Sequence, residues 1–212
     1  MSGLRKRKGD MDLICIGDSL TFGYGVRRAQ RWTALAEEET GWMLHNYGVC
    51  GDTTGGMLVR LRELFKQLPG RADERRFLLM GGGNDVFFSG TSANARANMA
   101  AMAHQLFAAG EAPIIAVGPD LAGGEYPDNW SALVDFRQAE KEMRGYNAWL
   151  ENFCDAFGVR MLDFRRDFLD SAGKPRHELY LDGLHPNAEG HRVMAARVAR
   201  VIGVMEREQM NA

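Results

Sequence analysis

The chain has 212 residues, of which 45% are hydrophobic and 25% charged, a balance that is ordinary for a globular domain. Its formal net charge of −2 excludes the strongly basic surface that attracts nucleic acids or anionic membranes, so neither is expected as a partner. No apolar run approaches the length of a membrane span, and no signal-peptide core follows the basic residues 5–8. The three cysteines are scattered without metal-ligand spacing, which favours a reducing, cytoplasmic location.

Five short apolar runs, most of them followed by glycine or another turn-forming residue, predict buried strands. These runs lie at residues 13–17, 43–48, 77–80, 113–117 and 159–164. Apolar residues recur at helical spacing between the runs and after the last of them. The predicted helices lie at residues 31–40, from 53 or 54 to 68, 93–109, 133–157, 166–170 and 187–207.

Strands that alternate with helices predict parallel strands joined by right-handed crossovers. The expected fold is therefore an α/β protein with a three-layer α/β/α sandwich around a flavodoxin-like five-stranded parallel sheet. A single domain is expected over residues 11–206, with frayed termini at 1–10 and 207–212. The least regular stretch, 118–130, is expected to form a rim over a binding pocket.

Polar motifs follow the predicted strands. Ser19 comes directly after the first strand, Gly51 after the second and Asn84 after the third, and Asp182 and His185 share a loop near the C-terminus. Because the carboxyl ends of parallel strands meet at one edge of a sheet, these residues are expected to lie close together. A serine, an imidazole, a carboxylate and an amide donor are the groups that acyl transfer requires.

The residue types themselves suggest the roles. A serine hydroxyl is a weak nucleophile without an adjacent base, and a neutral imidazole such as that of His185 is a suitable base near neutral pH. Asp182 would accept a hydrogen bond from the second imidazole nitrogen and fix its tautomer. Two plainer interpretations remain: Ser19 as a turn residue, and Asp182 with His185 as a polar turn before a helix that is capped by Asn187.

The motifs together resemble the SGNH hydrolases of the GDSL esterase and lipase family. Gly17-Asp18-Ser19-Leu20 matches the first block of that family, Gly51-Asp52-Thr53 the second, Gly82-x-Asn84-Asp85 the third and Asp182-x-x-His185-Pro186 the last. The resemblance implies catalytic Ser19, Asp182 and His185. It also implies an oxyanion hole formed by the backbone N–H groups of Ser19 and Gly51 and the side-chain amide of Asn84. It implies no metal or organic cofactor.

The resemblance further implies a serine esterase that hydrolyses carboxylic esters or thioesters with short to medium acyl chains. A carbohydrate O-acetylesterase or an acyltransferase with the same catalytic residues is the alternative. The expected partner is a small-molecule ester, and the oligomeric state is left open. A non-catalytic binding module would lack the nucleophile or the base, and a nucleotide-binding loop would need a lysine or glycine spacing that is missing at 17–21.

Several aromatic and apolar residues are candidates for the substrate pocket. They are Tyr24, Met57, Phe88, Tyr126 and Trp130, while Phe22 and Phe87 fit either the pocket or the core. The acidic residues beside the motifs, Asp18, Asp52 and Asp85, are expected to hold their loops by hydrogen bonds.

Overall fold

The computed structural model describes residues 11–67, 74–123, 126 and 128–211. Its five strands are β1 (Asp12–Gly17), β2 (Met43–Gly48), β3 (Arg75–Met80), β4 (Pro113–Val117) and β5 (Arg160–Asp163). Its α-helices are α1 (Ser19–Phe22), α2 (Trp32–Thr40), α3 (Thr54–Gln67), α4 (Gly83–Ser89), α5 (Ala93–Ala108), α6 (Asp128–Ser131), α7 (Phe136–Phe157) and α8 (Ala188–Asn211). Short 3₁₀ segments lie at Arg28–Gln30, Arg165–Phe168 and His177–Leu179.

The strands form one parallel sheet in the order β2-β1-β3-β4-β5. The last residue of β1, Gly17, is aligned with Gly48 of β2 and with Met80 of β3, so three strands end side by side. After β1 the chain adds β2 on one side of that strand and then adds β3, β4 and β5 on the other side, so the order of strand addition reverses between β1 and β3. Open α/β sheets bind their ligands in the crevice at such a point.

Successive strand residues point to opposite faces of the sheet, so each face has its own apolar core. One core lies against α2 and α8, and its strand residues include Leu13, Cys15, Leu78, Met80, Ile114 and Ala116. The other lies against α3, α5 and α7 and includes Ile14, Ile16, Phe77, Leu79, Ile115 and Val117. The predicted three-layer sandwich is confirmed.

Some predicted boundaries differ from the structure. The short helices α1, α4 and α6 were not expected, and α7 begins at Phe136 rather than at 133. The last helix continues to Asn211, although the sequence predicts a frayed tail from 207. The N-terminal segment 1–10 lies outside the described residues. Within the described ranges, every helix is too short or too polar to cross a lipid bilayer.

Candidate active site

Ser19 is held where β1 ends. It is the first residue of the four-residue helix α1, and the carboxylate of Asp18 accepts the backbone N–H of Leu20 at 2.9 Å. The end of β2 packs so closely against α1 that a Cβ on Gly48 would lie 2.1 Å from the backbone nitrogen of Phe22. Only glycine permits this approach, which fixes α1, and with it Ser19, at the edge of the sheet.

Ser19, His185 and Asp182 form a continuous hydrogen-bonded chain. The Ser19 Oγ lies 3.0 Å from His185 Nε2, and His185 Nδ1 lies 2.8 Å from Asp182 Oδ2. In the neutral tautomer that fits these contacts, Nδ1–H donates to the carboxylate and Nε2 accepts the serine hydroxyl. This arrangement can remove the hydroxyl proton as the serine attacks a carbonyl carbon.

Asp182 also shapes the loop that carries His185. Its Oδ1 accepts the backbone N–H groups of His185 at 2.7 Å and of Leu184 at 3.2 Å. Burial of Asp182 favours its protonated form, but the hydrogen bonds from the His185 ring and backbone outweigh burial and hold its pKa below the usual value. Asp182 therefore stays ionised and can stabilise a positive charge on the imidazole.

The residues of the three expected oxyanion donors, Ser19, Gly51 and Asn84, line one cavity. Gly51 adopts a φ of +75°, a conformation that favours glycine. Asn84, 6% exposed in the first turn of α4, uses one amide hydrogen to donate to the carbonyl of Asp52 at 2.8 Å, which leaves its second hydrogen available. Within the ranges that the structure describes, the backbone N–H groups of Ser19 and Gly51 have no protein acceptor.

Acidic residues beside the motifs tie the loops together. Asp52 forms an ion pair with Arg60, whose guanidinium also donates to the carbonyl of Gly17 at 2.8 Å. Asp85 accepts the backbone N–H of Thr54 at 2.8 Å and the Thr54 hydroxyl at 2.7 Å. The loops after β1, β2 and β3 are thus connected to one another, which holds the expected oxyanion donors in place before any substrate binds.

Two buried titratable groups, Asp18 and His191, have shifted pKa values but do not join the hydrogen bonds among Ser19, His185 and Asp182. Burial raises the pKa of Asp18 to about 6. Burial, with the nearby guanidinium of Arg31, lowers the pKa of His191 to about 4. Because His191 stays neutral, its Nδ1 accepts the backbone N–H of Trp32 at 3.2 Å and links α8 to α2. That histidine is a structural residue.

Two cavities meet at Ser19 and Asn84, which line both. The larger has a volume of about 450 Å³ and runs past the ends of β3 and β4 to α7. Its apolar walls include Leu20, Met80, Phe87, Ala116, Val117, Leu121, Met143, Leu150 and Leu169. The smaller, about 190 Å³, is lined by Gly51, Asp182 and His185 and by four aromatic residues, Tyr24, Tyr126, Trp130 and Phe136.

Three of the five predicted pocket residues line a cavity in the structure, and two do not. Tyr24, Tyr126 and Trp130 all line the smaller cavity, and the Tyr24 ring lies 4.5 Å from the His185 ring, centroid to centroid. Met57 differs from the prediction: it is fully buried in the core between the sheet and α3 and contacts neither cavity. Phe88 also differs, because it is 61% exposed and stacks on the outside of Trp130.

The two ambiguous phenylalanines differ from each other. Phe87 is buried in a small apolar cluster with Val86 and Val134 and also lines the larger cavity. Phe22 lies under the guanidinium of Arg31, whose carbon is 4.1 Å from the ring centroid. Residues 118–123 of the irregular stretch line the larger cavity, while residues 124, 125 and 127 of the predicted rim lie outside the described residues.

Helix α7 forms one wall of the larger cavity, which the sequence does not predict. Met143, Tyr146 and Leu150 recur at helical spacing, which predicts core packing, yet all three also line the larger cavity. Asn147 lies on the same face of the helix. The available signal was this one polar residue in an otherwise apolar stripe.

A serine, histidine and aspartate in hydrogen-bond contact at the carboxyl edge of a parallel α/β/α sandwich define a serine hydrolase. Residues 15–193 match the GDSL-like Lipase/Acylhydrolase family, and the chain belongs to that family. It is an ester-hydrolysing enzyme. Esterase TesA of Pseudomonas aeruginosa is 28% identical over 190 residues, covering 86% of this chain and 83% of that protein.

Solved structures share the fold. A lipolytic protein of the G-D-S-L family from Veillonella parvula has a TM-score of 0.75 at 22% identity, covering 90% of this chain and 97% of that one. The aryl esterase of M. smegmatis has a TM-score of 0.73 at 18% identity, covering 92% and 99% respectively. The predicted family and the predicted α/β architecture are confirmed.

Proposed function

We propose that the enzyme hydrolyses carboxylic esters or thioesters of short to medium acyl chains through an acyl-enzyme on Ser19. The observation that carries this proposal is the 3.0 Å contact between Ser19 Oγ and His185 Nε2 at the junction of two cavities of different character. A substrate that spans this junction has its ester bond beside the nucleophile and a pocket for each of its two halves.

The proposed reaction follows from these contacts. Ser19 Oγ attacks the carbonyl carbon while its proton passes to His185 Nε2, and Asp182 stabilises the imidazolium. The backbone N–H groups of Ser19 and Gly51 and the free amide hydrogen of Asn84 stabilise the negative charge that develops on the carbonyl oxygen. His185 then protonates the leaving oxygen or sulfur, and a water molecule, activated by His185, hydrolyses the acyl-enzyme.

The position of His185 supports a proposal for which half of the substrate each cavity binds. The leaving group must lie beside the imidazole that protonates it, and His185 lines only the smaller cavity. The acyl group then occupies the larger, mainly apolar cavity. Its volume of about 450 Å³ exceeds what an acetyl group fills, which favours longer acyl chains over carbohydrate deacetylation.

A panel of p-nitrophenyl esters with acyl chains from two to twelve carbons, together with an acetylated sugar, tests the proposal. We expect the highest kcat/KM at intermediate chain lengths. Ser19→Ala should lower kcat by on the order of 10⁴-fold or more, because a triad without its nucleophile is largely inactive. The matched control is Ser171→Ala, at an exposed loop position, which should hydrolyse the esters as the wild type does.

Three outcomes would contradict parts of this proposal. Near-normal turnover by Ser19→Ala would exclude the acyl-enzyme mechanism. A maximum for the acetylated sugar would instead support the carbohydrate O-acetylesterase alternative. Formation of a new ester when an alcohol is added, in preference to free acid, would identify an acyltransferase.

A further inference from the structure

The ring of Tyr24 lies against the imidazole of His185, a contact that the proposed chemistry does not yet use. The two ring centroids are 4.5 Å apart, and the ring planes are inclined to each other by 42°. Both residues line the smaller cavity. Tyr24 is 47% exposed whereas the side chain of His185 is 12% exposed, so the tyrosine ring covers part of the imidazole on the solvent side.

The backbone around Tyr24 fixes this contact. The backbone N–H of Tyr24 donates to the carbonyl of Ser19 at 3.1 Å, which ties the tyrosine to the turn that carries the nucleophile. The next residue, Gly25, packs so closely against Leu181 that a Cβ there would lie 2.3 Å from Leu181 Cδ2. Leu181 in turn donates its backbone N–H to the carbonyl of His185 at 2.7 Å. The turn that carries Tyr24 therefore packs directly against the loop that carries His185.

An aromatic ring at this distance attracts a cation. The ring quadrupole places negative charge on the faces of the ring, and a cation within about 6 Å of the ring centroid is stabilised by it. In the proposed reaction the imidazole of His185 starts neutral and becomes a cation when it takes the Ser19 proton. The attraction is therefore stronger in the transition state than in the ground state, which is the condition for an interaction to accelerate a reaction.

Other titratable groups surround His185 on three elements. Asp182, on the same loop, lies 2.8 Å from Nδ1. Asp18 at the end of β1 and His191 on α8 lie close enough to interact electrostatically with His185. None of these groups supplies an aromatic ring that contacts the imidazole, and all three remain in place when only Tyr24 is changed. Substitution of Tyr24 thus isolates the effect of the ring.

We infer that Tyr24 is a positioning residue that holds His185 in place and stabilises its imidazolium form through the aromatic ring. The inference rests on the proposed function, because it needs His185 as the base that takes the Ser19 proton. An aliphatic side chain of similar size could cover the imidazole equally well, but it would not attract the positive charge.

The test measures covalent labelling of Ser19 by a fluorescent alkyl fluorophosphonate between pH 5 and pH 9. In that reaction Ser19 Oγ forms a bond to phosphorus, fluoride leaves with its bonding electron pair, and the serine proton passes to His185. The leaving fluoride makes no aromatic contact, so a change in rate does not reflect binding of an aryl alcohol beside Tyr24. With the reagent in excess, the first-order rate constant does not depend on the fraction of protein that is folded.

Tyr24→Leu should lower the rate constant near neutral pH about fourfold and move the acidic limb of the pH profile down by about 0.6 pH unit. Without the ring the imidazolium is less stable, so His185 takes the serine proton less readily and also loses its own proton at a lower pH. These two effects oppose each other at acid pH, where the variant should label at nearly the wild-type rate. A variant that merely misplaced His185 would label more slowly at every pH.

Tyr24→Phe keeps the ring and should follow the wild-type profile. The matched control is Phe88→Leu, which replaces an aromatic residue that stacks on Trp130 outside the cavity and should label as the wild type does at every pH. The inference would be overturned by a wild-type profile in Tyr24→Leu, by a loss of rate that is uniform across the pH range, or by an equal loss in Tyr24→Phe. A wild type that is not labelled, or labelling that persists in Ser19→Ala, would instead contradict the proposed function.

Discussion

The two cavities that meet at Ser19 are built differently. The larger is formed mainly by strand ends and by α7, and its deep residues Tyr146, Asn147 and Leu150 are at most 3% exposed. The smaller is formed by aromatic side chains from separate loops and helix ends, and Tyr24 in it is 47% exposed. Closely packed regular elements resist deformation, whereas exposed loop residues adapt readily. We therefore expect strict selection of the acyl group and tolerance of the leaving group.

After loss of the nucleophile, the largest effect is expected at Asn84, which lines both cavities. Asn84→Ala removes a proposed oxyanion donor, so it should lower kcat by on the order of 10²–10³ for every ester, whatever its acyl chain or alcohol. Steady-state kinetics with esters that differ in the acyl chain or in the alcohol measure the change in kcat. If only KM changed, Asn84 would position the substrate and not stabilise the transition state.

A smaller effect, confined to the acyl side, is expected at Ala116. This residue is 2% exposed and lines the larger cavity at the end of β4. Ala116→Leu adds bulk that a rigid wall cannot absorb, so kcat/KM should fall about tenfold for octanoate relative to acetate. The ratio of kcat/KM for acetate to that for octanoate is measured within one variant, so it does not depend on the fraction of protein that is folded. A ratio equal to that of the wild type would show that the cavity wall deforms around the leucine or that the acyl chain does not bind beside residue 116.

The smallest effect is expected on the alcohol side. Trp130 lines the smaller cavity, and its loss removes about 1 kcal/mol of aromatic contact with an aryl leaving group. Trp130→Ala should thus raise KM about fivefold for phenyl esters and less for methyl esters. Phe88→Ala is the matched control, since Phe88 stacks on Trp130 at 5.9 Å from outside the cavity. A larger effect from the control would contradict this assignment.

Most strands and the longer helices can be predicted from the sequence because they depend on local patterns of apolar and turn-forming residues. Apolar runs that end in glycine locate the strands, and parallel strands bring their carboxyl ends to one edge. The juxtaposition of Ser19 with His185 and Asp182 follows from that topology together with the family motifs. The sequence does not predict the short helices α1 and α4, because segments of four and seven residues carry almost no helical periodicity.

The sequence predicts less well the direction in which a side chain points. Met57 and Phe88 are both apolar residues near a motif, yet one turns into the core and the other to solvent. Helical spacing indicates that a face is buried but not whether it meets packed side chains or a cavity. The sequence therefore predicts core packing for the residues of α7 that line the larger cavity.

The hydrogen bond between Ser19 and His185 joins residues that are 166 positions apart in the chain. Closing a loop of that length from an unfolded chain costs about 4–5 kcal/mol of entropy, whereas one hydrogen bond contributes about 1 kcal/mol. The contact therefore cannot draw the two ends of the chain together. The sheet and the packing of α8 against α2 must already have done so. Recovery of esterase activity during refolding thus reports completion of the whole fold, and a fragment without α8 and the loop before it has no means of assembling the site.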